Sequence, residues 1–156
     1  MDTKTLRKAS IDLMDRADCA SLTTIGADGY PHTRALFNLR NKTAFPRQAE
    51  LLGKHNDELR VYFSTNTSST KVREITSNPR VAVYYCDPQH IHGLMLRGDI
   101  TIVEDAAVKE ALWNNGWERY YPKGRSDPDY CVLSLRPNLA IGWRRGAPFS
   151  FDPRAA

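Results

Sequence analysis

The sequence has no long apolar run and no paired cysteines. A membrane-spanning helix needs about 20 mostly apolar residues, and no stretch of this 156-residue chain approaches that. Residues 1–20 lack the basic start and apolar block of an export signal. Cys19, Cys86 and Cys131 are far apart and form no C-x-x-C pair, which argues against a disulfide framework or a cysteine zinc site. We therefore expect a cytoplasmic protein with reduced thiols and no membrane contact.

Runs of like charge and the common catalytic motifs are also missing. The net charge is +4, but Lys and Arg alternate with Asp and Glu along the chain. Nucleic-acid binders gather their basic residues into a patch, so we expect no nucleic acid, and a small phosphate-bearing ligand would use the charge equally well. There is no Gly-x-Ser-x-Gly motif, nucleotide-hydrolase phosphate loop or internal repeat. Any chemistry is expected from a bound cofactor.

Hydrophobic periodicity predicts a mainly β chain with peripheral helices. Apolar residues at helical spacing predict an amphipathic helix over 3–17, and shorter helices are predicted from about 70 to 78 and over 106–117. Residues 40–57 predict a long loop with one helical turn, and residues 120–130 another loop. Alternation predicts strands at 19–25, 32–39, 59–64, 80–86, 91–103, 131–136 and 139–143.

These elements indicate one domain over 1–156. Six or seven strands joined mostly by short connections favour an antiparallel barrel over a βαβ sheet. The barrel is predicted over 19–145, with a bend at Gly98 and a short tail over 146–156.

One segment has the composition of an anion site. The strand ending at Phe63 runs into Ser64, Thr65, Asn66, further hydroxyls and then Lys71 at the start of a helix. Free N–H groups and the positive end of a helix dipole attract phosphate, and a lysine adds a full charge. Ser and Thr also serve simply as helix caps, so the pattern alone leaves both interpretations open.

Four segments together resemble the FMN-binding split-barrel superfamily of pyridoxamine 5'-phosphate oxidase, in particular its general stress protein-like branch. They are Gly29 to Leu36, Phe63 to Lys71, Asn78 to Val83 with Leu96 to Ile100, and Tyr121 to Tyr130 with the strand Leu139 to Trp143. The resemblance covers residues 3–145. It implies an antiparallel split β-barrel that binds FMN at the interface of a homodimer.

The resemblance also implies which residues contact the cofactor. Arg34, Ala35 and Leu36 would line the isoalloxazine ring, Ser64 and Thr65 would hydrogen-bond it, and Ser69, Thr70 and Lys71 would hold the phosphate. The sequence departs from the oxidases in three places: Thr70 replaces the arginine that precedes their lysine, the Arg-x-His substrate element is missing after Trp143, and residues 40–57 have no clear counterpart. Vitamin B6 oxidation is therefore not expected.

Several of these residues have a simpler interpretation. Arg34 could be a solvent-facing strand residue, and residues 40–57 could form a lid or a solvated loop. His90 and His92 would share a face of a strand, as two metal ligands might, but no third ligand is evident, so we expect surface or interface histidines and no metal. Aromatic residues at helical spacing could cover the flavin or form a satellite core; they are Trp113, Trp117, Tyr120 and Tyr121.

Three functions remain open. The first is a flavin-dependent oxidoreductase with an unknown substrate, in which Arg34 would favour the reduced flavin electrostatically. The second is a flavin-binding module without turnover, acting as a sensor, store or stress-linked scavenger. The third is binding of another planar cofactor, haem or a deazaflavin, because a fold does not determine its ligand.

Overall fold

The N-terminal helix packs its apolar side into the main core. In the computed structural model, which describes residues 2–155, helix α1 spans Thr3–Arg16, and Asp2 caps it by accepting the Thr5 N–H at 2.9 Å. Its buried residues include Leu6, Leu13 and Met14. The predicted amphipathic helix over 3–17 is confirmed.

Within residues 2–155, eight antiparallel strands form one curled sheet. Six of them follow the order β2-β1-β4-β5-β6-β3, and β7 pairs with β5 and β8 off this path. This is a split β-barrel with peripheral helices, as the sequence predicts. The strands are β1 (Cys19–Ile25), β2 (Pro31–Phe37), β3 (Val61–Asn66), β4 (Arg80–Asp87), β5 (His92–Ile102), β6 (Tyr130–Leu135), β7 (Leu139–Arg144) and β8 (Ala147–Phe151).

The long strand β5 joins the two parts of the sheet. Its first half pairs with β4 and β7, whereas Ile100–Ile102 pair with β6. The change of neighbour falls at Gly98, where we predict a bend. A Cβ there would approach the Arg136 carbonyl oxygen to 3.1 Å, so a larger residue would push the crossing strands apart.

The segment 40–57 is packed rather than solvated. Helix α2 spans Pro46–Gly53 and a 3-10 turn spans Asn56–Glu58, so the predicted loop with one helical turn is wrong in its helix content. Leu52 is buried, and the buried Arg40 guanidinium donates to Asp15 Oδ1 at 2.9 Å. Amphipathic spacing within α2 explains the helix, because its apolar side finds a core to cover.

Helix α3 spans Thr70–Ser77, as expected. Two further elements, α4 and the C-terminal segment, differ from the prediction. Helix α4 spans only Ala106–Leu112. Trp113 already has φ −58° and ψ 137°, so the chain leaves helical geometry five residues early. Residues 146–156 are also not merely a tail, because β8 pairs along β7.

Beside the barrel lies a second apolar cluster. It joins α2, α4 and the segment after α4, and we call it the aromatic cluster: Leu39, Phe45, Leu52, Tyr62, Leu112, Trp113, Trp117, Tyr121, Tyr130 and Val132. Between residues 2 and 155, no helix is long and apolar enough to cross a bilayer.

Candidate functional site

A pocket of about 500 Å³ opens between β2, β3, the start of α3 and the aromatic cluster. This volume lies in the range usual for small-molecule and cofactor sites. It brings together five of the eight residues predicted to bind the cofactor: Ala35, Leu36, Ser64, Thr65 and Lys71. The other lining residues are Asp18, Cys19, Phe37, Asn66, Trp117, Tyr120 and Tyr121.

Lys71 supplies the positive charge of this pocket. It stands in the first turn of α3, and its Nζ donates to Thr65 Oγ1 at 2.9 Å. Burial lowers the pKa of Lys71, and the nearby Arg34 charge lowers it further. An ammonium held between burial and a like charge gains more from an anion than an exposed lysine does. The charge of Lys71 therefore favours a negatively charged ligand group at this wall of the pocket.

The loop before α3 is held in place by Asp129. Its Oδ1 accepts the Ser68 N–H at 2.8 Å and its Oδ2 accepts the Asn66 side-chain amide at 2.7 Å. Ser69 is the N-cap of α3, yet its Oγ is buried and has no hydrogen-bond partner among the described residues. An unused hydroxyl beside the positive end of a helix is a donor that fits a phosphate.

Arg34 does not line the pocket. Its Nη2 donates to Glu74 Oε2 at 3.1 Å and its Nη1 donates to Thr24 Oγ1 at 2.6 Å. Glu74 also accepts from Thr24 Oγ1 at 2.5 Å, and His32 Nδ1 lies 2.6 Å from its other oxygen. The structure thus places Arg34 in a polar network behind the pocket wall, neither free in solvent nor facing the cavity.

Thr70 lines a different cavity from the one that Lys71 lines. This neighbouring cavity, about 440 Å³, also includes His32, Arg73 and Glu74 in its lining. Thr70 Oγ1 accepts from Arg73 Nη2 at 3.0 Å, so its hydroxyl is already engaged. Neither Ser69 nor Thr70 lines the pocket that Lys71 lines, although both directly precede Lys71 in the chain.

Aromatic side chains form the remaining wall. Trp117 stacks on Phe37 with ring centroids 6.4 Å apart and planes 12° from parallel, and Tyr120 is partly exposed at the rim. Burial raises the pKa of Tyr121 to about 12, so this hydroxyl stays protonated at neutral pH. Trp113 is completely buried and belongs to the core alone. The predicted aromatic group thus divides between the core and the pocket.

Besides Cys19, which lines the pocket, sequence reasoning missed three contributors to this region. Phe37 follows Leu36 on the same strand, and strand alternation was available as a signal for it. Glu74 lies between Val72 and Ile75 on the buried side of α3; an acidic residue at a core-facing position is itself an indication of a buried partner. Nothing in the sequence pattern indicates Asp18, which lies between α1 and β1.

The two histidines considered as metal ligands lie on different elements. His90 ends a 3-10 turn, Pro88–His90, whereas His92 begins β5, so they do not share a strand face. His90 Nδ1 lies 2.8 Å from Asp87 Oδ2, while His92 is buried. The part of the chain that the structure describes contains no group of three His, Cys, Asp or Glu residues that could hold a metal ion.

Several proteins of known structure share this fold. The most similar structures include a Clostridium acetobutylicum protein related to general stress protein 26 of B. subtilis, of the pyridoxinephosphate oxidase family. It is 30% identical with a TM-score of 0.76, and the match covers 97% of this chain and 96% of that one. General stress protein 26 of Bacillus anthracis is 19% identical with a TM-score of 0.70, covering 94% and 98%. A heme binding protein of Mycobacterium smegmatis is 15% identical with a TM-score of 0.67, covering 94% and 57%. No curated protein matches.

The fold defines this chain as a split β-barrel protein with a preformed pocket. The profile of the pyridoxamine 5'-phosphate oxidase family matches residues 6–144. The chain belongs to that family, which confirms the resemblance seen in the sequence. Members of the family bind flavins or related planar cofactors, and some are oxidoreductases.

Proposed function

We propose that this protein binds FMN in the pocket between β2, β3 and α3 and acts as a flavin-dependent oxidoreductase on a small substrate. The observation that carries the proposal is Lys71, an ammonium group in the lining of a pocket that aromatic side chains also line. A planar ring with a phosphate tail needs both features in one cavity. FMN itself would supply the electron transfer.

The chain's own residues would bind and orient the cofactor. Lys71, the Ser69 hydroxyl and the N-terminal N–H groups of α3 would hold the phosphate. Ser64 and Thr65 would hydrogen-bond the ring edge against the backbone of Ala35 and Leu36. Trp117 and Tyr121, both buried, would keep water from the ring, and excluding water strengthens the electrostatic contacts inside. Arg34, behind the wall, would act on the cofactor through its charge rather than by direct contact.

We also propose that the protein works as a homodimer. The outward side of the β4–β5–β7 sheet carries Tyr84, Met95, Ile141 and Trp143, which we call the outer apolar face. Ile141 and Trp143 are 39% and 40% exposed. The solvent side of an antiparallel sheet is ordinarily polar, and a contiguous apolar patch typically marks an interface. A second copy of the chain is the partner that this proposal assigns to the face.

The test is a titration of purified protein with FMN, followed by absorbance and flavin fluorescence. Lys71→Ala should weaken binding by about 1.5–3 kcal/mol, the range for a hydrogen bond to a charged group, or about tenfold to hundredfold. Lys42→Ala removes an exposed lysine that pairs with Asp15 and should leave the affinity unchanged. Equal FMN affinity in the two variants would show that Lys71 does not contact the phosphate. A wild-type protein that does not bind FMN would contradict the proposal.

Turnover distinguishes an oxidoreductase from a flavin-binding module. A reductase should oxidise a nicotinamide cofactor while its bound flavin cycles between oxidised and reduced absorbance. A protein that holds FMN tightly without such cycling would instead be the sensor or store. Haem is the second candidate ligand, since a heme binding protein shares the fold, and it is tested by the same titration with haem in place of FMN.

A further inference from the structure

A further, smaller cavity lies on another part of the molecule and shares no residue with the proposed cofactor pocket. It has a volume of about 150 Å³ and is bounded by α1, the 3-10 turn before β5, the start of β5 and the β7–β8 turn. Its lining residues are Ala9, Asp12, Arg16, His90, His92, Arg144 and Arg145. Three arginines and one carboxylate give it an excess of positive charge.

His92 is the buried polar group of this cavity. It is only 4% exposed, and its Nε2 has no hydrogen-bond partner among the described residues. A buried polar atom without a partner costs about 1–3 kcal/mol, so a ligand oxygen at this position would recover that cost. Burial, together with the charges of Arg16 and Arg144, lowers the pKa of His92. Its imidazole is therefore neutral at neutral pH and can donate one N–H.

The acidic residues around the cavity already have partners. Asp87 accepts from Arg16, with Nη2 3.0 Å from Oδ2, and its carboxylate also contacts His90. Asp12 pairs with Lys8 at 2.8 Å. These pairs reduce the acidic charge that an incoming anion would meet, so the positive field of the arginines dominates.

Arg145 is positioned at the cavity by the backbone. It has φ 52° in the β7–β8 turn, a conformation that costs a residue other than glycine about 1–2 kcal/mol, and its N–H donates to the Ile91 carbonyl at 2.9 Å. Within residues 2–155 the structure records no ion pair or side-chain hydrogen bond for its exposed guanidinium. The strained turn therefore presents an arginine fork that is available to a ligand.

We propose that this cavity binds a dianionic phosphate group, with His92 Nε2 and the Arg145 guanidinium as donors and Arg16 adding charge. A guanidinium matches two phosphate oxygens at once. A volume of about 150 Å³ equals the share of about five water molecules in the liquid. That space accommodates a phosphate group with a few waters. The occupant is orthophosphate or the phosphate end of a small phosphorylated metabolite.

The test must keep phosphate out of the cofactor pocket. Orthophosphate is therefore titrated calorimetrically into the Lys71→Ala protein, with chloride at equal ionic strength as the reference. His92→Phe, which removes the ring N–H, and Arg145→Gln, each added to Lys71→Ala, should weaken phosphate binding at least tenfold. Arg80→Gln is the control, because Arg80 is an exposed arginine at the far end of β4, and it should leave binding unchanged. The His92 ring resonances should shift on saturation with phosphate.

Two results would overturn the proposal. Phosphate that binds no better than chloride, or equally well to all the variants, would mean an adventitious ion only. Arg145 lies on an exposed turn, so its variant remains folded and informative even if His92→Phe destabilises the protein. Tighter binding of glycerol 3-phosphate than of orthophosphate, lost in Arg145→Gln, supports a metabolite as the source, and equal binding of the two supports the free ion.

Discussion

Glu74 is a buried carboxylate whose oxygens contact Thr24, His32 and Arg34. Those contacts lower the pKa of Glu74 to about 2, chiefly through the Thr24 hydroxyl. The same carboxylate raises the pKa of His32. The network therefore anchors α3 to β1 and β2, beside the residues that would hold the cofactor phosphate.

Replacing Glu74 by Gln tests how much this network stabilises the fold. The variant keeps the shape but loses the charge, so Arg34 is left with a neutral partner. We expect the free energy of unfolding to fall by about 1.5–3 kcal/mol, measured by urea denaturation. Glu110→Gln, which disrupts an exposed pair with Arg125, should change it by less than about 1 kcal/mol. Equal losses of unfolding free energy in both variants would mean that the buried network stabilises the fold no more than an exposed ion pair does.

The pH dependence of this stabilisation has a definite sign. The folded pKa of Glu74 lies below its ordinary 4.5, so its contribution is complete above about pH 4.5 and is lost as the pH falls towards 2. The pKa of His32 is raised from its ordinary 6.5, so its contribution is complete below 6.5 and is lost as the pH rises through the raised value. The stability difference between wild type and Glu74→Gln should therefore be greatest between about pH 4.5 and 6.5. A difference that stays constant with pH in urea titrations would contradict this.

The position of Arg34 could be predicted from the sequence, but its hydrogen-bond partner could not. The strand pattern placed Arg34 on β2, as the structure has it, and the family resemblance implied that it contacts the cofactor, which stays a prediction. They could not indicate its partner, because Glu74 lies 40 residues away and meets it only when α3 packs on the sheet. Lys71 was easier to predict, since a strand, a hydroxyl-rich loop and a helix start are all local signals.

At the scale of elements, α2 is the feature that the sequence suggested least. Residues 40–57 are polar and mixed, which favours a loop, but Leu52 finds a buried place in the aromatic cluster. Leu52→Ala should therefore cost about 2–5 kcal/mol of unfolding free energy, as for other buried leucines. The adjacent Leu51 is only partly buried, and Leu51→Ala should cost clearly less. If thermal or urea denaturation finds both substitutions equally mild, this segment behaves in solution as a loop.

The strands were predictable because alternation is a local signal, whereas the element ends depended on distant packing. Residues 147–151 contain Pro148 and follow a glycine turn, so they suggested a tail, yet they pair along β7. The end of α4 was the opposite case. Asn114-Asn115-Gly116 is a turn signal. The chain leaves helical geometry at Trp113, just before this signal, whereas the predicted helix continued to residue 117. Leaving the helix there is what allows Trp117 and Tyr120 to reach the pocket.

For the whole molecule, the outer apolar face is the surface through which the proposed dimer would form. Tyr84 is paired with Met95, and Met95 with Ile141, across β4, β5 and β7, and directly opposed residues share one side of a sheet. Trp143 lies two residues beyond Ile141 and contacts Tyr84, with ring centroids 5.9 Å apart. The face therefore extends across three strands, and burying it against a second copy would remove apolar area from water on both subunits.

Ile141→Arg should convert the proposed dimer to a monomer, because it places a charge at the centre of an apolar contact. Sedimentation velocity checks this, with Tyr30→Arg as the control, since Tyr30 is 70% exposed in the β1–β2 turn region.

Phe37 and Tyr120, at the pocket rim, are 47% and 44% exposed, which is the position where a partner subunit would complete the cofactor site. If it does, the monomeric variant should also bind FMN more weakly, although none of its pocket residues has changed. A monomer with wild-type FMN affinity would place the whole cofactor site within one subunit, and a variant that remains dimeric would show that the subunits meet through another surface.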